Sequence, residues 1–147
     1  VSATEQLMQV YREHGGSVIA VNEAADEIIH TKGVVGGKSV GAGVHEVDAL
    51  VEKPALKDAP SNLAIVARYL LDNAVFDYLS EEHEGVGGEV QITDAIASLL
   101  GNNPIHAREI NGFHADTGNP GGMLEAAIHV AKQDPELAKI VKQALID

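Results

Sequence analysis

The sequence predicts an α/β fold, and three observations carry that expectation. A helical pattern closed by Gly15-Gly16 runs straight into the apolar stretch Ser17-Val18-Ile19-Ala20-Val21, the signature of a buried, parallel-paired strand. Two more strand-like runs, 44–51 and 63–71, flank a charged break at Glu52-Lys53-Pro54. Apolar residues near the end then return at a helical period, and nothing in between repeats or falls into low complexity.

In chain order, Ser2-Ala3-Thr4-Glu5 reads as a capping box, with Ser2 bonding forward and Glu5 reaching back. Leu7, Val10 and Tyr11 follow at helical spacing. Gly15-Gly16 then supplies the left-handed backbone that ends the helix. Residues 22–32 are acidic and mixed, fitting a loop or a short helical turn. Gly33-Val34-Val35-Gly36-Gly37 opens an extended segment. Gly33 reads either as a turn glycine or as backbone that a ligand approaches closely, where a Cβ would clash.

In the next strand Val47, Leu50 and Val51 suit burial, and Pro54 stops it because proline offers a sheet no N–H. Asn73 reads as the cap of a short helix carrying Phe76 and Leu79, and 81–88 as an acidic, glycine-rich loop. Thr93 reads as the cap of a helix on which Ile96, Leu99 and Leu100 share a face and which Gly101 ends. A strand over 105–110 leads through Asn111-Gly112 to the turn-like Asp116-Thr117-Gly118. Leu124, Ala127, Ile128 and Ala131 line a further helix. Asp134-Pro135 starts the last one, amphipathic through Leu137, Ile140, Val141, Ala144 and Leu145.

Composition narrows the function. With 147 residues, 45% of them apolar, the chain suits one domain with a real core. No apolar run approaches the roughly 20 residues needed to span a bilayer, and no secretory pattern opens the sequence. Cysteine is absent, which excludes disulfides and thiolate metal sites and fits a reducing, cytoplasmic setting. A net charge of −12 with thinly spread Lys and Arg argues against DNA or RNA as a partner. Two Phe, three Tyr and no Trp argue against base-stacking platforms. An anionic substrate still fits if a local cation and a metal ion offset the field. The seven histidines show no zinc spacing and read as structural or surface residues, and there is no nucleophile elbow.

The stretch that organises these readings is Val51-Glu52-Lys53-Pro54 followed by Ala59-Pro60-Ser61-Asn62-Leu63-Ala64-Ile65. A carboxylate beside an ammonium at a strand end offers one group to sugar hydroxyls and one to a phosphate. Taken alone, the pair reads more readily as a solvated charge pair at a turn. Together with Gly33-Val34-Val35, Gly88-Glu89-Val90-Gln91-Ile92-Thr93-Asp94-Ala95-Ile96 and Asp116-Thr117-Gly118, in that order, it closely resembles the bacterial UTP–glucose-1-phosphate uridylyltransferases of the sugar-nucleotidyltransferase family.

That resemblance implies part of a mostly parallel, Rossmann-like nucleotidyltransferase sheet with sugar-binding strands and C-terminal helices. Residues 1–147 would form its C-terminal, sugar-phosphate-binding portion. The family's Gly-x-Gly-Thr-Arg loop and its earlier metal-binding aspartate are not in this sequence, so the nucleotide-binding portion is expected to lie outside it. The implied reaction is transfer from UTP to glucose 1-phosphate, giving UDP-glucose and pyrophosphate. The resemblance assigns the catalytic cation, holding the sugar phosphate, to Lys53 and hydroxyl recognition to Glu52. It gives backbone contacts with the hexose to Gly33 and Ile65, and a magnesium ion to Asp116. Lys32 stands where the family often carries an aromatic residue. A cytoplasmic protein that self-associates or pairs with its nucleotide-binding half is the expected context. Two alternatives remain open: another nucleotide such as dTTP, and a non-catalytic sugar-phosphate-binding or assembly module.

Overall fold

A computed structural model of the chain describes residues 1–79 and 90–145, so the segment at 81–88 and the residues Gly88 and Glu89 lie outside the described part. Two compact units divide the chain, Val1–Asn111 and Gly112–Asp147.

In the first unit, α1 (Ala3–His14) starts where the Oγ of Ser2 accepts the Glu5 backbone N–H at 3.2 Å. Glu5 does not complete the box in the expected way: its Oε1 pairs with Arg12 Nη1 at 3.1 Å. Gly15 and Gly16 take φ of +72° and +70°, turning the chain into β1 (Ser17–Glu23). β1 is buried on both faces. Ile19 and Val21 join the main core with Val35, Val47, Leu63, Ile96 and Ile105, while Val18 and Ala20 meet Leu7 and Val10 of α1. This is why its sequence reads as a continuous apolar run and not an alternation.

A 3-10 turn over Asp26–Thr31 leads to β2 (Gly33–Gly41) and β3 (Val44–Glu52), and a second, Leu56–Asp58, precedes β4 (Leu63–Leu70). α2 (Val75–Leu79), α3 (Ile92–Ala97) and β5 (Ile105–Glu109) complete the unit. The strands close a ring in the order β1-β4-β2-β3-β5. The α/β class holds, and the sheet is mixed. β1 pairs in parallel with β5, as a buried strand following a helix predicts. The other ladders of the ring are antiparallel. Parallel pairing needs a long crossover, and the tight return at Gly41 to Gly43 between β2 and β3 allows only an antiparallel pair.

Two caps differ from expectation. Asp72, not the Asn73 side chain, accepts the Ala74 N–H at 2.9 Å ahead of α2. Gln91, not Thr93, occupies the cap position of α3.

The second unit holds α4 (Pro120–Gln133) and α5 (Pro135–Ala144). Asn119 caps α4 by accepting the Gly122 N–H at 2.9 Å, and Asp134 caps α5 by accepting from Glu136 and Leu137 at 2.8 and 3.2 Å. Ala131 is the buried residue of the α4 face; Leu124 and, on α5, Leu137 and Ile140 are exposed. None of the described residues of α5 is buried. Among the described residues no helix is long and apolar enough to cross a membrane.

Candidate functional site

Strand register builds the site. Glu52, the last residue of β3, stands opposite Gly33, the first of β2. One step further, the Lys53 N–H donates to the Lys32 carbonyl at 2.9 Å, so the pairing outlasts the strand. Lys53 takes φ of +47°, a left-handed conformation that costs a non-glycine residue about 1 kcal/mol. The backbone turn sends the neighbouring side chains to different surroundings. Glu52 is only 10% exposed, Lys53 44%, and its Nζ lies 3.4 Å from Glu52 Oε1. At that exposure the pair adds little to stability, and its interest lies in what it presents.

The other carboxylate oxygen is committed. Thr93 Oγ1, on the first turn of α3, donates to Glu52 Oε2 at 2.7 Å. Gly33 lies beneath this bond. A Cβ there would come within 2.9 Å of Thr93 Oγ1, 3.0 Å of Glu52 Oε2 and 3.1 Å of Ile65 Cδ1. The starts of β2, β4 and α3 and the end of β3 therefore converge on one carboxylate. Tyr69 of β4 joins them. Burial, and then the charge of Glu52, hold its phenol above the ordinary value, so it stays protonated well past neutral pH.

The neighbouring Pro60-Ser61 pair supports this frame. Ser61 Oγ donates to the Val35 carbonyl and accepts the Leu63 N–H at 2.8 Å, tying β2 to the entry of β4. Pro60 covers Gly36, where a Cβ would lie 2.7 Å from its ring.

Of the residues singled out from sequence, Gly33, Glu52, Lys53 and Ile65 come together in the first unit; Asp116 belongs to the second. Asp116 is exposed, and its Oδ1 accepts the Gly118 N–H at 3.0 Å while its carbonyl accepts from Asn119 Nδ2 at 3.0 Å. Among the described residues no group of three or more carboxylates and imidazoles is placed to hold a metal. Thr93 and Tyr69 were not marked as site residues by sequence reasoning. Thr93 is 41 positions from Glu52, and its local context reads as a helix cap.

The mixed sheet thus ends in a nearly buried carboxylate beside an exposed ammonium. The nucleotidyl transferase family profile matches residues 3–133, and the chain belongs to that family. More particularly, it is 40% identical over 145 residues to a UTP–glucose-1-phosphate uridylyltransferase of Staphylococcus haemolyticus, covering 96% of this chain and 50% of that protein. A Streptococcus pyogenes protein of the same name is also 40% identical, with 97% of this chain and 47% of that one covered. Among solved structures, a UDP-glucose pyrophosphorylase complexed with UDP-glucose superposes with a TM-score of 0.84 at 36% identity, over 90% of this chain and 50% of that one. A UTP-bound UGPase from Acinetobacter baumannii gives 0.81 at 28% identity, over 97% and 49%. The chain thus spans about half the length of the relatives it matches.

Proposed function

We propose that this chain supplies the sugar-phosphate side of a UTP–glucose-1-phosphate uridylyltransferase, and that residues 1–147 act in that enzyme as its C-terminal portion. The observation that carries the reading is the Glu52–Lys53 pair: a carboxylate held inside and an ammonium held at the surface, 3.4 Å apart at the end of one strand. Glucose 1-phosphate has the matching polarity, hydroxyls at one end and a dianion at the other. Glu52 accepts hydrogen bonds from the hexose. Lys53 meets the phosphate as a compact charge. Gly33, lacking a Cβ, leaves the hexose room against the main chain, and Ile65 adds its backbone beside it.

In the reaction the sugar phosphate oxygen attacks the α-phosphorus of UTP and pyrophosphate leaves. Bringing together two anions calls for alignment and charge neutralisation more than for a protein nucleophile. Asp116 would hold a magnesium ion through its exposed carboxylate, since that ion prefers hard oxygen ligands. When bound, the ion would polarise phosphoryl oxygens and offset their charge. The setting consistent with this chemistry is cytoplasmic.

The test is pyrophosphate release from UTP, glucose 1-phosphate and magnesium by a full-length protein carrying these residues. Lys53→Ala is expected to lose about 2–4 kcal/mol of transition-state stabilisation, read as kcat/KM. A value within about twofold of the unmodified protein, a negligible energy on this scale, would remove Lys53 from the site. Asp116→Asn is expected to raise the magnesium concentration giving half-maximal rate; superimposable titrations would make Asp116 structural.

A further inference from the structure

We propose that Thr93 is a positioning residue for hexose recognition, acting through Glu52. The inference rests on the sugar-phosphate reading above and goes one step further, to what holds the recognising carboxylate in place. Thr93 is buried, 4% exposed, and sits on the first turn of α3, whose Ala95 and Ile96 are fully buried in the core. A hydroxyl fixed this firmly gives Glu52 Oε2 a stationary donor at 2.7 Å.

Two consequences follow from the geometry. First, the bond from Thr93 to Oε2 fixes the rotation of the carboxylate and so sets Oε1 3.4 Å from Lys53 Nζ, with acceptor lone pairs left for a ligand. The hexose-reading atom and the phosphate-reading cation are thereby held in one fixed relation. Second, Gly33 cannot be replaced by a larger residue without striking Thr93 Oγ1 or Glu52 Oε2, so the β2 main chain braces the bond from below. Without the hydroxyl, a nearly buried carboxylate has lost a partner and is free to rotate out of its hexose-facing position toward solvent. The hexose contribution to binding should fall, while the phosphate contribution, made by Lys53, should remain.

The experiment separates those contributions. Binding of glucose 1-phosphate and of inorganic phosphate is measured by NMR titration of a full-length protein carrying these residues, comparing the unmodified protein with Thr93→Val, Thr93→Ser and Glu52→Gln. The ratio of the two dissociation constants is the hexose advantage. Thr93→Val, which keeps the shape and removes the donor, should shrink that ratio by about tenfold, the effect of one hydrogen bond to a charged group. Inorganic phosphate affinity should stay unchanged. Thr93→Ser should restore the ratio, which a role in core packing alone would not do, since Ser lacks the methyl group. A normal ratio in Thr93→Val overturns the inference while leaving the sugar-phosphate reading intact. An unmodified chain with no hexose advantage overturns the sugar-phosphate reading itself, and the inference with it. A double-mutant cycle by thermal melting checks the bond independently of ligand. Additive shifts for Thr93→Val and Glu52→Gln would show that the two side chains are not coupled and would likewise overturn it.

Discussion

A methyl group at position 33 would lie 2.9 Å from Thr93 Oγ1, 3.0 Å from Glu52 Oε2 and 3.1 Å from Ile65 Cδ1, so at least one of these side-chain ends has to shift. Thr93 is anchored in a helix, Glu52 is nearly buried and Ile65 belongs to β4. Gly33→Ala is therefore expected to destabilise the first unit by about 1–3 kcal/mol, the usual cost of overpacking. Urea unfolding with an unchanged m-value reads it directly; a midpoint equal to that of the unmodified chain would mean the site can open without cost. At this scale the sequence was partly legible. Glu52 and Lys53 announce themselves as charges where an apolar strand meets a proline, and Gly33 as a glycine heading an extended run. The link between them was not legible, because Thr93 reaches Glu52 across 41 positions and only the folded chain brings them together. Its local pattern, a threonine before an apolar helical run, points to capping, and Gln91 turned out to hold that position.

Among the elements, those whose signals are local were legible. The glycine pair after α1, the proline after β3 and the Asp134-Pro135 start of α5 act within a few residues, and the structure places boundaries at each. Asp134 takes two amide hydrogens at the head of α5, a helix with no buried residue among those described to hold it otherwise. Asp134→Ala should then cost about 1 kcal/mol, and because packing adds little there, the loss should appear as fraying of that helix. Amide exchange confined to α5 would show it; unchanged protection would mean that contacts beyond the cap fix the helix. The ring of strands was less legible. Periodicity identifies a strand and its buried face but carries no record of its neighbours, and the pairing of β1 with both β4 and β5 depends on segments far along the chain.

At the scale of the whole molecule, acid sets one limit and the share of its relatives that the chain spans sets another. His106 of β5 is buried, with its Nδ1 lacking a hydrogen-bond partner. Burial, then the nearby His14, push its pKa below 6.5, against smaller opposing effects of Glu46 and the Gly15 backbone. The unfolded chain thus takes up this proton more readily than the folded one. The stability contributed is complete above 6.5 and is lost as pH falls through the lowered folded-state value. Unfolding midpoints should fall on acidification below neutrality, and His106→Gln should flatten that slope; an unaltered slope would assign it to other groups. The chain also spans about half of its relatives. We expect the 147 residues alone to give no UDP-glucose synthesis, because holding one reactant cannot supply the proximity effect of holding both. Turnover near that of a full-length enzyme would place the UTP site within these residues.

The parallel contact between β1 and β5 also sets a schedule. Ser17 pairs with Ile105, so the ring closes between its first and last strands. β2 and β3 can meet as soon as both exist, across a return of a few residues at Gly41 to Gly43. β1 must wait, its apolar residues without their final neighbour, until nearly the whole first unit has been synthesised. Closure of so long a loop is entropically unfavourable before any contact rewards it. Refolding should therefore be limited by this step, in roughly the millisecond-to-second range typical of sheet proteins rich in distant pairings. Substitutions in the β2–β3 hairpin should slow folding, whereas those at Val18 or Ala107 should mainly hasten unfolding. The reverse pattern would mean that the ends of the unit find each other first and the hairpin forms around them.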